Sequence, residues 1–378
     1  MGPTQQCLSF EQGPIRPPSE ARSLLIRVTR NCPWNRCAFC RTYRGERFSL
    51  RPLAEVQEEV RRIGETIERL GGGAPEAAAE GLLARDTPCG GQAGAIAAWL
   101  LAGEGSVFLQ DADSLMVKTD ELAELISFIR RTLPSVGRIT TYGRAKTAAR
   151  KRPDELKLLR EAGLTRIHMG LETGCDPLLA FIRKGATAAE QVAGGQKIRE
   201  AGISLCQYVM PGLGGGRWSR EHAVETAAVL NRINPDHIRL RTLQVVDDTP
   251  LADAVRTGEF LPLDDEEILR EVRLFFETLD GISSAVVSDH ILNLLEELEG
   301  QLPGDRERII GLIDRYFALP GEERMIFRLG RRMGIYRRLD DLADASVARR
   351  LGEILAGYRG RDPRELEADL ALLRARYL

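Results

Sequence analysis

The tetrapeptide Arg-Glu-Ala-Gly occurs twice, at 160–163 and 199–202, and each copy leads into an apolar run, Arg166–Leu171 and Ile203–Met210. Glycine takes the left-handed backbone that stops a helix, so each copy reads as a helix end feeding a strand, the joint of a tandem βα unit. Thr187 and Glu190 have the spacing of a capping box and open the helix before the second copy. The same alternation extends in both directions. Strands are expected at Ser23–Val28, Ser106–Gln110, Arg138–Tyr142 and His237–Leu243, and helices at Asp120–Thr132 (with Thr119 as N-cap), Pro153–Ala162 and Ser219–Arg232. Leu53, Val56, Val60, Ile63, Ile67 and Leu70 recur at three- and four-residue steps, one face of a further helix. Six strands alternating with helices imply a parallel sheet curled into a partial barrel.

The chain has 378 residues, enough to bury a large core, and suits one barrel-sized domain with an appendage. Residues 1–22 form an N-terminal arm rich in Pro and Gly, and residues 23–250 the barrel. A helical insertion is expected at about 74–103, broken at Asp86–Gly91, where Cys89 reads as a solvent-side thiol. Residues 251–378 are mainly helical, apart from a short strand at Ile282–Val287 followed by a helix from about His290. The arginine-rich stretch 330–338 reads as a solvated helical face.

Net charge is −2, from 53 basic and 55 acidic residues, so no global field attracts nucleic acid or an anionic membrane. No run reaches eighteen apolar residues and Met1–Arg22 lacks the apolar core of a signal peptide, so a cytoplasmic protein is expected. Seven cysteines in a chain this long are too few for a disulfide scaffold and fit a reducing compartment.

Three of the seven, Cys32, Cys37 and Cys40, fall within nine residues of NCPWNRCAFCRTY, 31–43, directly after the first strand. Thiols that close can ligate one metal centre. A structural zinc site wants a fourth Cys or His nearby, and the next cysteine, Cys89, is far downstream, which leaves a centre with an open coordination position.

C-x4-C-A-F-C after an apolar strand resembles the signature of the radical SAM superfamily, although the usual first spacing there is three residues. The resemblance covers about residues 23–250. It implies an α/β fold, a partial (βα)6 radical SAM barrel with a mainly helical C-terminal extension. Cys32, Cys37 and Cys40 would hold three irons of a [4Fe-4S] cluster whose fourth iron binds S-adenosylmethionine. Reductive cleavage would give a 5′-deoxyadenosyl radical that abstracts hydrogen from a substrate. An electron donor such as flavodoxin or ferredoxin is implied as a partner.

The resemblance also gives the strand ends roles. QDAD, 110–113, stands where the family contacts the methionine amino group, with Asp111 and Asp113 as candidates. HMGLETG, 168–174, is similar to the fourth-strand motif of the coproporphyrinogen-oxidase-like and Elongator-like branches, with Glu172 at the ribose or methionine part. Arg144 would pair with the cofactor carboxylate. YVMPGLGGG, 208–216, is similar to the fifth-strand glycine motif, with Met210 and Gly212 near adenine. Phe39 and Arg241 complete the expected cofactor contacts, and no catalytic side chain is singled out. Cys206, Tyr208, Arg239 and Arg241 alternate along their strands and are candidates to line the interior; in that register two arginines suit a small anionic substrate, and in the opposite one they stand outside and carry no such meaning. Cys175 and Cys206 are not a ligand set, and His168 reads as packed or hydrogen-bonded. An RNA-modifying enzyme and a haem-carrying relative remain alternatives, with nucleic acid disfavoured by charge.

Overall fold

A computed structural model describes residues 9–71, 74–83 and 90–376. In chain order its strands are β1 (Leu24–Arg27), β2 (Thr29–Arg30), β3 (Ser49–Leu50), β4 (Ser106–Gln110), β5 (Arg138–Tyr142), β6 (Leu164–Glu172), β7 (Ser204–Val209), β8 (His237–Leu240), β9 (Ala285–Val287) and β10 (Gly300–Gln301). The helices are α1 (Leu53–Gly71), α2 (Pro75–Leu83), α3 (Gly90–Ala102), α4 (Thr119–Thr132), α5 (Ala145–Arg150), α6 (Pro153–Ala162), α7 (Asp176–Phe181) and α8 (Ala188–Glu200). After these come α9 (Gly215–Ile233), α10 (Pro250–Arg256), α11 (Asp265–Thr278), α12 (Arg306–Ala318), α13 (Gly321–Arg332), α14 (Ala345–Ala356) and α15 (Pro363–Ala375). The fold is a mostly parallel α/β arrangement, and all six expected strands are present as β1 and β4–β8. No described helix is long and apolar enough to cross a membrane. Cys7 and Cys89 lie outside the described residues.

The chain divides into two compact units. The first comprises Met1–Asn35, Thr42–Met169 and Ala193–Leu205. Here β1, β4, β5 and β6 pair in parallel, with Leu24 opposite Val107, Ser106 opposite Arg138 and Tyr142 opposite His168. Parallel neighbours need long crossovers, which α1–α3, α4 and α6 supply. Val107, Leu109, Ile139 and Ile167 alternate onto one face and are buried, as are Leu122, Ile126 and Ile129 of α4 and Leu156 and Leu159 of α6. Each such side chain contributes about 1.5–3 kcal/mol of hydrophobic burial. The opposite face carries Phe108, Tyr142 and His168, packed edge to face. His168 is hydrogen-bonded to Glu20 at 3.1 Å, and Ser23 and Arg138 also donate to that buried carboxylate. Burial alone would push Glu20 up, but these donors hold it at about 2.

The second unit comprises Arg36–Arg41, Gly170–Val192 and Cys206–Leu378. In it β7, β8 and β9 are parallel, Tyr208 standing opposite Arg239 and Arg239 opposite Val287, and β10 closes antiparallel on β9. Val209 and Leu240 line a small cavity with His222, Glu271 and Phe275 of α9 and α11, so this strand face is covered by helices. Cys206, Tyr208 and Arg239 therefore point to the opposite face. A buried cluster of Cys175, Leu178, Ile182, Leu213, Leu251 and Phe260 takes in Ala38 of the cysteine loop, with Phe39 packed against it.

Three local expectations are corrected. Thr119 does not cap α4: Lys118 holds the N-cap position, and the Thr119 hydroxyl donates to Glu155 at 2.7 Å. No helix starts at His290, because the Asn293 side chain takes up the backbone there, donating to Leu240 O and Ser288 O and accepting from Thr242 N–H at 3.0 Å. Residues 330–338 are a solvated face only in part: Arg337 and Arg338 are exposed, but Arg331 and Arg332 are 0% and 2% exposed. Arg331 donates to the carbonyls of Asn293 and Ile291 and to Glu296, and Arg332 makes a two-pronged pair with Asp265.

Candidate metal centre

The cysteine loop springs from a small base. β2 and β3 pair antiparallel, Thr29 opposite Leu50 and Arg30 opposite Ser49, and bring the two ends of the segment between them together. Asn31 and Asn35 take left-handed backbone conformations (φ 66° and 47°), which asparagine tolerates better than most residues. Their side chains close the loop from inside: Asn31 donates to Arg47 O at 2.7 Å, and Asn35 donates to Tyr43 O and to Glu46 O. The Asn35 N–H donates to Cys32 Sγ at 3.4 Å, a bond that strengthens when the sulfur carries charge.

Farther along, Cys40 N–H donates to Cys37 O at 3.2 Å. Ala38, between them, is fixed through both backbone groups, its N–H on Ile182 O at 2.8 Å and its carbonyl accepting from Leu251 N–H at 3.0 Å. Cys32, Cys37 and Cys40 are partly exposed and in no disulfide. Among the described residues, no three His, Cys, Asp or Glu side chains converge on one point as for a single ion. A four-iron cluster asks for something else, one thiol on each of three irons, so its ligands stand around it. Soft thiolates on a short loop fit that chemistry.

The other expected site residues fall into the two units. In the first, Asp111 is fully buried, and its carboxylate accepts from Arg27, Tyr43 and Asn31 N–H. Asp113 accepts from the Thr147 hydroxyl at 2.6 Å; burial raises it to about 6 against that bond and the Arg144 charge. The Arg144 guanidinium lies 5.3 Å from the ring centre of Trp34, a cysteine-loop residue, in cation–π geometry. Asp111, Asp113 and Arg144 are thus all tied to strand ends, and Asp111 and Arg144 reach the Cys32 end of the loop.

In the second unit, Glu172 has φ 63° and accepts from Lys184 at 2.8 Å, while Lys184 stands 6.0 Å from the ring of Phe39. Met210 N–H donates to Glu172 O at 3.1 Å. Gly212 has φ 85°, so a side chain there would be strained, and its N–H donates to Glu271 at 2.6 Å. Glu172 and Met210 are thus joined directly, Phe39 stands beside Glu172's partner Lys184, and Gly212 is held by Glu271, whereas Arg241 is exposed beyond β8.

Sequence reasoning missed Lys184, Glu271 and His222. Glu271 is buried in the gap beside His222, accepting from Gly212 N–H and, at 2.7 Å, from Ser219. His222 Nδ1 lies 2.8 Å from Thr173 Oγ1 and Nε2 lies 3.1 Å from Met210 O. Burial holds this imidazole at about 4, so it is neutral, with Nε2–H donating to the Met210 carbonyl. Burial raises Glu271 from 4.5 to about 7, opposed by its two donors.

A raised carboxyl holds a proton in the folded state that the unfolded chain releases. This group therefore costs stability as pH rises from about 4.5 to about 7, and the full cost, roughly 3 kcal/mol, applies above that window. Glu271→Gln keeps the acceptor for Gly212 and carries no charge. Its melting temperature is expected to exceed that of the wild type at pH 8 but not at pH 5; parallel pH profiles for the two proteins would contradict this assignment.

The tRNA uridine(34) acetyltransferase of Methanocaldococcus jannaschii is 24% identical over 124 residues, 31% of this chain and 23% of that protein. The biotin synthase of Synechococcus elongatus is 34% identical over 106 residues, 28% of this chain and 32% of that protein. The matched stretches thus span about a quarter to a third of these curated relatives. Among solved structures, a methylornithine synthase aligns over 70% of this chain and 64% of its own, with 17% identity and a TM-score of 0.43. Residues 26–227, more than half of the chain, match the profile of the radical SAM superfamily, and the chain belongs to that superfamily of enzymes, which work with a [4Fe-4S] cluster and S-adenosylmethionine.

Proposed function

We propose that the substrate is a small anionic organic molecule, held by Arg239 and Arg241 at the end of β8. When bound, the reduced cluster and S-adenosylmethionine supply a 5′-deoxyadenosyl radical that takes a hydrogen atom from the substrate. Cys32, Cys37 and Cys40 ligate the cluster. Asp113 and Glu172 offer carboxylates to the amino and hydroxyl groups of S-adenosylmethionine, and Arg144 a guanidinium to its carboxylate. The backbone at Met210 and Gly212 offers a surface for a flat base, Gly212 having no side chain to stand in its way. An electron donor such as flavodoxin or ferredoxin would supply the one electron that reduces the cluster before S-adenosylmethionine is cleaved.

The observation that carries the substrate class is Arg239. It is 8% exposed, on the strand face opposite α9 and α11, paired with Asp289 at 3.3 Å, and its Nη1 has no hydrogen-bond partner among the described residues. A buried, unmatched guanidinium donor costs free energy that an incoming carboxylate or phosphate would recover. His290 reports the same field: burial first, then the charges of Arg241, Arg239 and Arg331, hold its imidazole at about 4.

Thermal melts of the protein with citrate, pyrophosphate and simple phosphate esters test this reading. At least one is expected to raise the melting temperature, and Arg239→Met to weaken that ligand about tenfold or more. Equal responses from wild type and variant, or no response to any anion, would overturn it.

A further inference from the structure

The carboxylate of Asp111 accepts four hydrogen bonds from three residues, and these residues mark both ends of the cysteine loop. Asn31, immediately before Cys32, donates its N–H to Oδ2 at 3.3 Å. Tyr43, three residues after Cys40, donates its hydroxyl to Oδ1. Arg27, on β1, donates to Oδ2 through Nε at 3.0 Å and Nη2 at 2.7 Å, and its Nη2 also reaches Asn31 Oδ1 at 3.2 Å. The backbone of Asp111 is held too, its N–H on Thr29 Oγ1 at 3.3 Å. Its side chain is 0% exposed.

The N-terminal arm packs over the same carboxylate. Gly13 N–H donates to the Gln110 side chain at 2.9 Å, and the Gln110 amide donates back to Gly13 O and Ile15 O. A Cβ placed on Gly13 would stand 2.6 Å from Asp111 Oδ1, so the arm leaves no slack there. Glu11 accepts from Arg27 at 2.9 Å and from Arg30 at 2.7 Å, which fixes the guanidinium that Asp111 uses.

We infer that Asp111 is a positioning residue that fastens both ends of the cysteine loop to one buried carboxylate and so governs how firmly the chain retains its iron–sulfur cluster. The inference rests on the reading of Cys32, Cys37 and Cys40 as cluster ligands. A cluster is lost when a thiolate leaves and fails to return. Return is fast while the loop ends are pinned and the sulfurs stay near their irons, and slower once an end is free to explore more of space. Oδ2 takes three of the four bonds and Oδ1 the fourth, all from the protein and all on a fully buried side chain, so its work is done on the loop.

The test uses the full chain with its cluster reconstituted anaerobically. Iron release to a ferrous chelator is followed by absorbance for wild type, Asp111→Asn, Tyr43→Phe and Gly13→Ala, alongside the melting temperature of each apoprotein. Asp111→Asn is expected to release iron about tenfold to a hundredfold faster than wild type. Tyr43→Phe and Gly13→Ala, which remove one donor and displace the carboxylate from outside the loop, are expected to release it several-fold faster at temperatures well below their melts. They carry the test even if Asp111→Asn fails to fold. A merely structural Asp111 would lower apoprotein melting and leave iron release at low temperature unchanged, and that result overturns the inference. A wild type that takes up no cluster instead overturns the reading of the cysteines, and the inference with it.

Discussion

Cys37→Ala protein, reconstituted with iron and sulfide and then desalted, is expected to carry almost no iron where the wild type carries about four atoms per chain. Its broad visible absorbance from the cluster is expected to vanish while its circular dichroism stays that of the wild type. The reason is geometric. Cys37 is partly exposed, and the neighbouring backbone is held independently of its thiol by the two hydrogen bonds of Ala38 to Ile182 and Leu251. Removing the thiol deletes one of three ligands while the two backbone bonds of Ala38 remain, and two thiolates do not hold a cluster that exchanges its irons with solvent. A variant that keeps its iron would show that Cys37 is not a ligand.

Asp265→Ala is expected to cost about 3–5 kcal/mol of stability, read as a lower urea midpoint. Asp265 is 5% exposed and opens α11. Arg332, from the end of α13, grips it at 2.6 and 3.1 Å; Arg374 of α15 lies at 3.3 Å and Arg328 at 3.7 Å. Burial would push the carboxyl up, but the three guanidiniums hold it well below the usual carboxylate range. Deleting it leaves three buried cations facing one another. Arg328 keeps Glu367 and Arg374 keeps Gln244, so Arg332 bears most of the loss. With its folded pKa depressed, the group contributes its stability above the unfolded value of 3.8, and the contribution is lost as pH falls below that value. The gap between wild type and Asp265→Asn should therefore narrow in acid. A loss below about 1 kcal/mol for Asp265→Ala would mean that the cluster relaxes onto other partners.

The functional weight of this cluster comes from Arg374. Its contact to Gln244 at 2.8 Å brings α15 against the segment that follows β8, where Arg239 and Arg241 are proposed to meet the substrate. A change at Asp265 is thus expected to reach the substrate region through the C-terminal helix as well as through stability.

What could be read from the sequence was what neighbouring residues determine together. The six strands follow from apolar runs behind helix-stopping glycines such as Gly163 and Gly202, both left-handed in the structure (φ 121° and 74°). The cysteine loop follows from three thiols within nine residues. What escaped depends on residues far apart in the chain. Asp111 finds Arg27 and Tyr43 across 84 and 68 residues, and Arg332 finds Asp265 across 67. An arginine-rich helix end has the same local pattern whether it meets water or a buried aspartate, so 330–338 was assigned to the surface. Asn293 misled in another way: a side chain that satisfies the backbone replaces the helix that Ser288 or Asp289 could cap. Glu271 and His222 are ordinary residues on amphipathic helices until α9 and α11 pack together over the loop at Gly212.

Cys32, Cys37 and Cys40 are proposed to support radical chemistry on S-adenosylmethionine. The most direct measurement is anaerobic: reconstituted protein, dithionite and S-adenosylmethionine are combined and 5′-deoxyadenosine is quantified by mass spectrometry, with Cys37→Ala in parallel. Product from the wild type and none above background from the variant is the predicted result. A wild type that holds a full cluster and still yields no more 5′-deoxyadenosine than the variant, with or without the anions that stabilise it, would contradict the account.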